Sequence, residues 1–221
     1  MLRLALLSLV LSASPAAADC AFSGLTPKPM TATNKSLPLD GGIVIAAVSD
    51  QAGKIDPGDA ALEHPFKFEG GRTVSLAPGL AVIRVTKPGS LVDAANKTVL
   101  AIKLTPKPLL PLPAPEVKLV EHEGRRGRRG NERVLATLEN PSSGLIAVVL
   151  ANAKGSPKSW GLVSGQPVRV VAFSTGDCMS LPNGTQPSKA GDTVTVRYVD
   201  GYGRLSPPSK PIKIVESTVA P

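Results

Sequence analysis

The chain has 221 residues, of which 42% are apolar, enough for a modest core or two, while 22 prolines and 21 glycines exclude an architecture of long helices. Its formal charge of +8 favours anionic partners, yet aromatic residues make up only 3%, so the stacking platform of a nucleic-acid binder is missing. Two cysteines and two histidines, widely scattered, exclude the usual zinc-ligand spacings, and no cofactor-binding motif is present.

The opening MLRLALLSLVLSASPAAADC has Arg3 as a positive head, an apolar run from Leu4 to Leu11 and the small residues Ala16, Ala17 and Ala18. It reads as a secretory signal peptide over residues 1–18, with a mature chain starting near Asp19. Cys20 raises a lipid anchor, which the charged Asp19 beside it disfavours. The apolar run is too short for a retained span, and no later segment reaches about 18 uninterrupted apolar residues, so no transmembrane segment is expected in the mature chain. Export points to the periplasm, outer surface or extracellular space. Losing Arg3 leaves about +7, and anionic lipid, glycans and acidic proteins are the partners within reach. In a disulfide-permissive compartment Cys20 and Cys178 form a candidate pair, closing a loop of about 158 residues worth roughly 4–5 kcal/mol in the chain-entropy picture. Separate thiols and intermolecular pairing are the alternatives.

From residue 19 to 105 apolar residues recur with period two. Phe66 and Phe68 alternate with Lys67 and Glu69, Val74 and Leu76 share a side, and Leu100, Ile102 and Leu104 oppose Lys103, as in half-buried strands. GIVIAAV (42–48) and LAVIRV (80–85) are apolar on both sides, as central strands are. SLVDAANKTV (90–99) has room for one short helical turn. Asp50 and DPGDA (56–60) bring calcium to mind, but the Asp-x-Asp-x-Asp-Gly spacing is absent. Asn34, Asn96 and Asn183 each begin an Asn-x-Ser/Thr triplet.

PKPLLPLPAP (106–115) carries five prolines and should run extended as a semi-rigid linker; the other reading is an irregular edge inside one larger domain. Residues 116–221 continue the strand pattern in EVKLV, RVLATL, LIAVVL, PVRVVAFS, TVTVRYV and PIKIV, separated by NPSSG, KGSP, SGQP, DGYG and SPPSKP, all turn chemistry. The expected fold is all-β, two tandem antiparallel β-sandwich modules over 19–105 and 116–221.

TVTVRYVDGYGRLSPPSKPIKI (193–214) resembles the last two strands of immunoglobulin-like and fibronectin type III-like modules of secreted bacterial proteins: a strand bearing Tyr198, an Asp-x-x-Gly turn from Asp200 to Gly203, and a final alternating strand from Pro211 to Val215. Residues 27–48 more faintly look like the opening of a bacterial immunoglobulin-like domain. Together these cover about a fifth of the chain and lack the paired cysteines bracketing a tryptophan of antibody domains. The resemblance implies a fold; such modules serve as spacers, adhesion units, carbohydrate-binding accessories and enzyme appendages.

The chemistry-bearing stretch is EHEGRRGRRGNER (121–133). Arg125, Arg126, Arg128, Arg129 and Arg133 offer multidentate donors to phosphate, sulfate or carboxylate, and the interleaved glycines free the backbone. Glu121, Glu123 and Glu132 offset part of that charge, and a solvated turn would also be polar and glycine-rich. An exposed dibasic pair is also a protease target. Trp160 and Tyr202 are the flat faces available for stacking on a sugar, with a core position the commoner fate of a lone tryptophan. His122, between Glu121 and Glu123, is expected to be solvated, and His64, before Pro65, to sit at a turn or rim. No catalytic motif appears, and whether the chain is an enzyme stays open. Two readings stand: an exported structural or binding module touching an anionic surface through the arginine loop, and a secreted hydrolase or carbohydrate-processing accessory whose carboxylates meet only in the fold.

Overall fold

The computed structural model describes residues 25–31, 36–49, 64–77, 79–106, 109–124, 133–171 and 188–218. All regular structure among them is β. The first half holds β1 (Leu25–Pro29), β2 (Ser36–Pro38), β3 (Gly42–Ser49), β4 (Lys67–Phe68), β5 (Arg72–Ala77), β6 (Leu80–Arg84), β7 (Gly89–Val92) and β8 (Thr98–Thr105). They form two sheets, β1-β3-β6-β5 and β2-β8-β7-β4, antiparallel except where β2 runs parallel to β8. The second half holds β9 (Val117–Glu123), β10 (Arg133–Leu138), β11 (Leu145–Asn152), β12 (Pro157–Leu162), β13 (Val168–Val171), β14 (Thr193–Asp200), β15 (Ile212–Lys213) and β16 (Val215–Glu216). Its sheets are β13-β10-β9-β16 and β12-β11-β14-β15, with β16 parallel to β9. In each half a terminal stretch switches sheets, β1 to β2 at the start of one and β15 to β16 at the end of the other. Both strand orders are those of immunoglobulin-like sandwiches, so the fold is all-β with two sandwich modules.

Strands apolar on both sides explain how the modules meet. Successive side chains of a strand point to opposite faces. In β3 and β6, Ile43, Ile45 and Ile83 face inward to join Leu91, Leu100 and Ile102 in the first module's core. In β11 and β14, Val148, Leu150, Val194 and Val196 join Val134 in the second. The alternate residues are buried too: Val44, Ala46, Leu80 and Val82 from the first half cluster with Ala147, Val149, Trp160 and Val199 from the second. Four sheets therefore stack around three apolar layers, the middle one shared. Residues 109–115 lead from the first half into the second, and the halves meet in the shared middle layer.

Three hairpins use one five-residue turn. Asp93 Oδ1, Asn152 Oδ1 and Asp200 Oδ1 each accept from the amides two and four residues on, at 2.9–3.0 Å. The fourth residue of each turn, Asn96, Gly155 or Gly203, has φ of 59°, 81° or 68°, the left-handed region open to glycine and tolerated by asparagine. The first of these corrects the helical turn expected in residues 90–99: it joins β7 to β8, because the Asp93 carboxylate captures the amides that a helix would have needed.

SPPSKP is more than a turn. Prolines 207, 208 and 211 cannot donate to a ladder, so the serines supply both groups: the Ser206 amide donates to the Tyr198 carbonyl at 3.0 Å and its Oγ accepts from the Tyr198 amide at 2.9 Å. Ser209 does the same with Val196, at 2.8 and 2.9 Å. Both serines are buried, so the segment acts as a neighbour strand to β14 before β15 begins.

Candidate functional site

β9 and β10 pair from Val117–Leu138 to Glu123–Arg133, so the arginine run belongs to the connection of a β-hairpin. Arg125, Arg126, Arg128 and Arg129 lie outside the described residues. Arg133 opens β10, its backbone opposite Glu123 and Val171. The register tells which end of the second sandwich this is. Asn152 pairs with Val194 and Thr193 with Lys213, whereas Leu145 pairs with Asp200 at the other end. Lys154, Lys189 and Lys213, all exposed, therefore share the end from which the arginine connection leaves. Carboxylates are present there too: Glu121, Glu123 and Asp192 are half-buried and Glu216 is exposed.

His122 departs from the solvated placement expected of it. It is only 9% exposed, and its Nδ1 lies 3.4 Å from the carboxylate of Glu216, 94 residues away in sequence. Its sequence neighbours Glu121 and Glu123 point to the other face of the strand, which a reading along the chain could not weigh. His64 is half-buried, with Nε2 3.3 Å from Thr73 Oγ1 and its ring 6.1 Å from that of Phe66. Burial lowers its pKa, partly opposed by backbone hydrogen bonds that raise it.

The two stacking candidates both face the boundary between the halves. Trp160 is 0% exposed in the middle apolar layer, so it presents no face to a sugar; β12 carries it inward because Gly161 beside it lets β12 cross β13, and a Cβ at 161 would collide with the Arg169 carbonyl. Tyr202 packs, partly buried, on the core of the first sandwich. It belongs to the Asp200–Arg204 turn, whose Gly203 lies against Val82 and Val44.

Asp200 is the most buried described carboxylate, 5% exposed. Its Oδ1 accepts from the amides of Tyr202 and Arg204 and its Oδ2 from Arg204 Nε at 2.8 Å. Those bonds commit it to holding the turn and leave it poorly placed as a general base. An open groove of about 470 Å³ between β4 and β7 is lined by Lys67, Phe68, Glu69, Lys87 and Ser90. There Lys87 Nζ lies 2.7 Å from Glu69, whose pKa is lowered by that hydrogen bond and charge, so the opposite charges offset each other. Among the described residues no three His, Cys, Asp or Glu side chains gather as metal ligands, and no helix is long and apolar enough to cross a membrane. Cys20 and Cys178 lie outside the described residues.

No protein-family model and no curated protein matches this chain. Among solved structures it is similar to one titled "Biofilm associated protein - BSP domain", at 13% identity and a TM-score of 0.29, over 89% of this chain and 30% of that one. The chain thus spans less than a third of that structure's length, and a likeness this distant carries no argument about function.

Proposed function

We propose that the protein is an exported structural or binding module of the cell envelope or extracellular space that contacts an anionic surface through its arginine-rich connection. The observation that carries this reading is the β9–β10 register. It sets Glu123 and Arg133, the residues from which the arginine-rich stretch departs and to which it returns, at the end of the second sandwich remote from the Asp200–Arg204 turn, where Lys154, Lys189 and Lys213 are exposed. Cations grouped at one end of a rigid sheet act on the same surface, and guanidinium groups bind phosphate or sulfate in pairs of hydrogen bonds. Glu121, Glu123 and Glu216 on the flanks reduce the net charge and favour contact with a dense polyanion over a single ion. The leader at residues 1–18 supports delivery outside the cytoplasm.

The test is retention on immobilised heparin and on vesicles containing anionic lipid. Replacing Arg125, Arg126, Arg128 and Arg129 by serine is expected to abolish retention at moderate salt while leaving the melting temperature unchanged. Retention equal to that of the parent chain would remove the basis for the reading.

A further inference from the structure

Apolar burial is non-directional, so the middle layer draws the two sandwiches together without fixing how they are turned. The polar groups at its edge are directional. Arg204 Nε donates to Asp200 Oδ2 at 2.8 Å within its own turn, and Nη1 donates to the carbonyl of Leu110 in the connecting segment at 2.7 Å. Nη1 also lies 3.8 Å from Asp40 Oδ2, in the turn between β2 and β3 of the first sandwich. That turn is anchored in its own module, because Arg84 Nη1 donates to the Asp40 carbonyl at 3.1 Å. One guanidinium thus meets the second sandwich, the connector and the first sandwich. The side chains of Arg204 and Asp200 are only 12% and 7% exposed, so the bond between them is shielded from solvent. Beside them the Gly42 amide donates to the Tyr202 carbonyl at 2.7 Å.

We infer that the Asp200–Arg204 turn is an orientation latch. The outer flank of the first sandwich, formed by Val44, Ala46, Leu80 and Val82, is a docking surface buried beneath the second half of this same chain. Arg204 sets the angle at which the two halves lock. The planar fork suits the task because it addresses Asp200 Oδ2 and the Leu110 carbonyl along different directions at once. A lysine ammonium has its three donors on one nitrogen and cannot reproduce the separate, coplanar Nε and Nη1 that reach these two acceptors. Without the latch the apolar layer and the Gly42–Tyr202 hydrogen bond still hold the halves together, but their mutual angle is no longer fixed and they rock about that contact. The proline-rich segment then ceases to be a strap and becomes the spacer its composition suggests.

Trp160, the only tryptophan of the chain, lies in the docked layer and reports its closure. The experiment compares the full chain with Arg204→Ala and Arg204→Lys, well below their melting temperatures. Readouts are acrylamide quenching of tryptophan fluorescence and residual dipolar couplings from each half. The parent is expected to give one alignment tensor for both sandwiches. Both variants are expected to give two tensors whose magnitudes differ at least twofold, with quenching raised at least twofold and the amide shifts of inner-core Leu100 and Val196 unmoved. A variant that keeps the single tensor and the parent's quenching overturns the inference. Should Arg204→Ala fail to fold, Arg204→Lys decides, because it keeps a cation beside Asp200 and removes only the fork.

Discussion

The amide of Gly42 and the carbonyl of Tyr202 meet at 2.7 Å across the boundary between the two halves. Gly203, the next residue, must come as close: a Cβ there would lie 2.5 Å from Val82 Cγ2 and 3.2 Å from Val44 Cγ2, and its φ is +68°. Backbone strain and crowding can be separated by comparison with Gly144, whose φ is +89° but whose Cβ would meet nothing within 4 Å. Gly144→Ala is expected to cost about 1–2 kcal/mol from the left-handed backbone alone. Gly203→Ala should cost about 2–4 kcal/mol, because it adds overpacking against the first sandwich. Chemical denaturation of both variants checks this, and equal losses would show that Val82 yields freely.

Residues 116–221 expressed alone would lose the first half's cover over Ala147, Val149, Trp160 and Val199, together with the partly buried Ile146, Leu162 and Leu205. The second sandwich keeps its own inner layer, so a dispersed β-type amide spectrum is the expected outcome. Its bare flank should self-associate, because a contiguous exposed apolar patch seeks a partner. Sedimentation at increasing concentration is expected to show a growing oligomer, and Trp160→Ser in the fragment is expected to reduce it. A random-coil spectrum would mean that the second half depends on the first for its fold.

Much of this was legible in the sequence, because burial leaves a period-two trace. Leu100, Ile102 and Leu104 opposite Lys103 gave β8, a strand with one dry face, and Val194, Val196 and Tyr198 gave β14, although Thr195 and Val199 on its other face are buried as well. GIVIAAV and LAVIRV read as central strands and LIAVVL as a strand, but which sheet covers their second face depends on contacts distant in sequence. For that reason the middle layer was invisible, and a core position for Trp160 was read as the commoner fate of a lone tryptophan without showing which layer holds it. β12 went unread because Ser159-Trp160-Gly161 lacks alternation, its glycine being required by the crossing with Arg169. β1 and β2 are short and proline-bearing, and proline at sheet edges reads as turn. The Asp-x-x-Gly turn was visible as local chemistry; that Arg204 closes it onto Leu110 and Asp40 was not, because those partners lie 94 residues and more away.

His64 should make stability depend on pH. Burial holds its folded-state pKa below the ordinary value of about 6.5, so the folded chain resists the proton that the unfolded chain accepts. Between those two values the unfolded state binds more protons. The stability due to neutral His64 is therefore fully present above about pH 6.5 and is lost as the pH falls toward the folded pKa. The ring is only half-buried, so solvent screens much of the effect and the slope should be shallow. Melting temperatures at pH 7.5 and pH 5.5 for the parent and for His64→Gln isolate this contribution, since His122 is common to both chains. The variant is expected to lose less on acidification than the parent. An identical drop in the two would assign the acid sensitivity to groups other than His64.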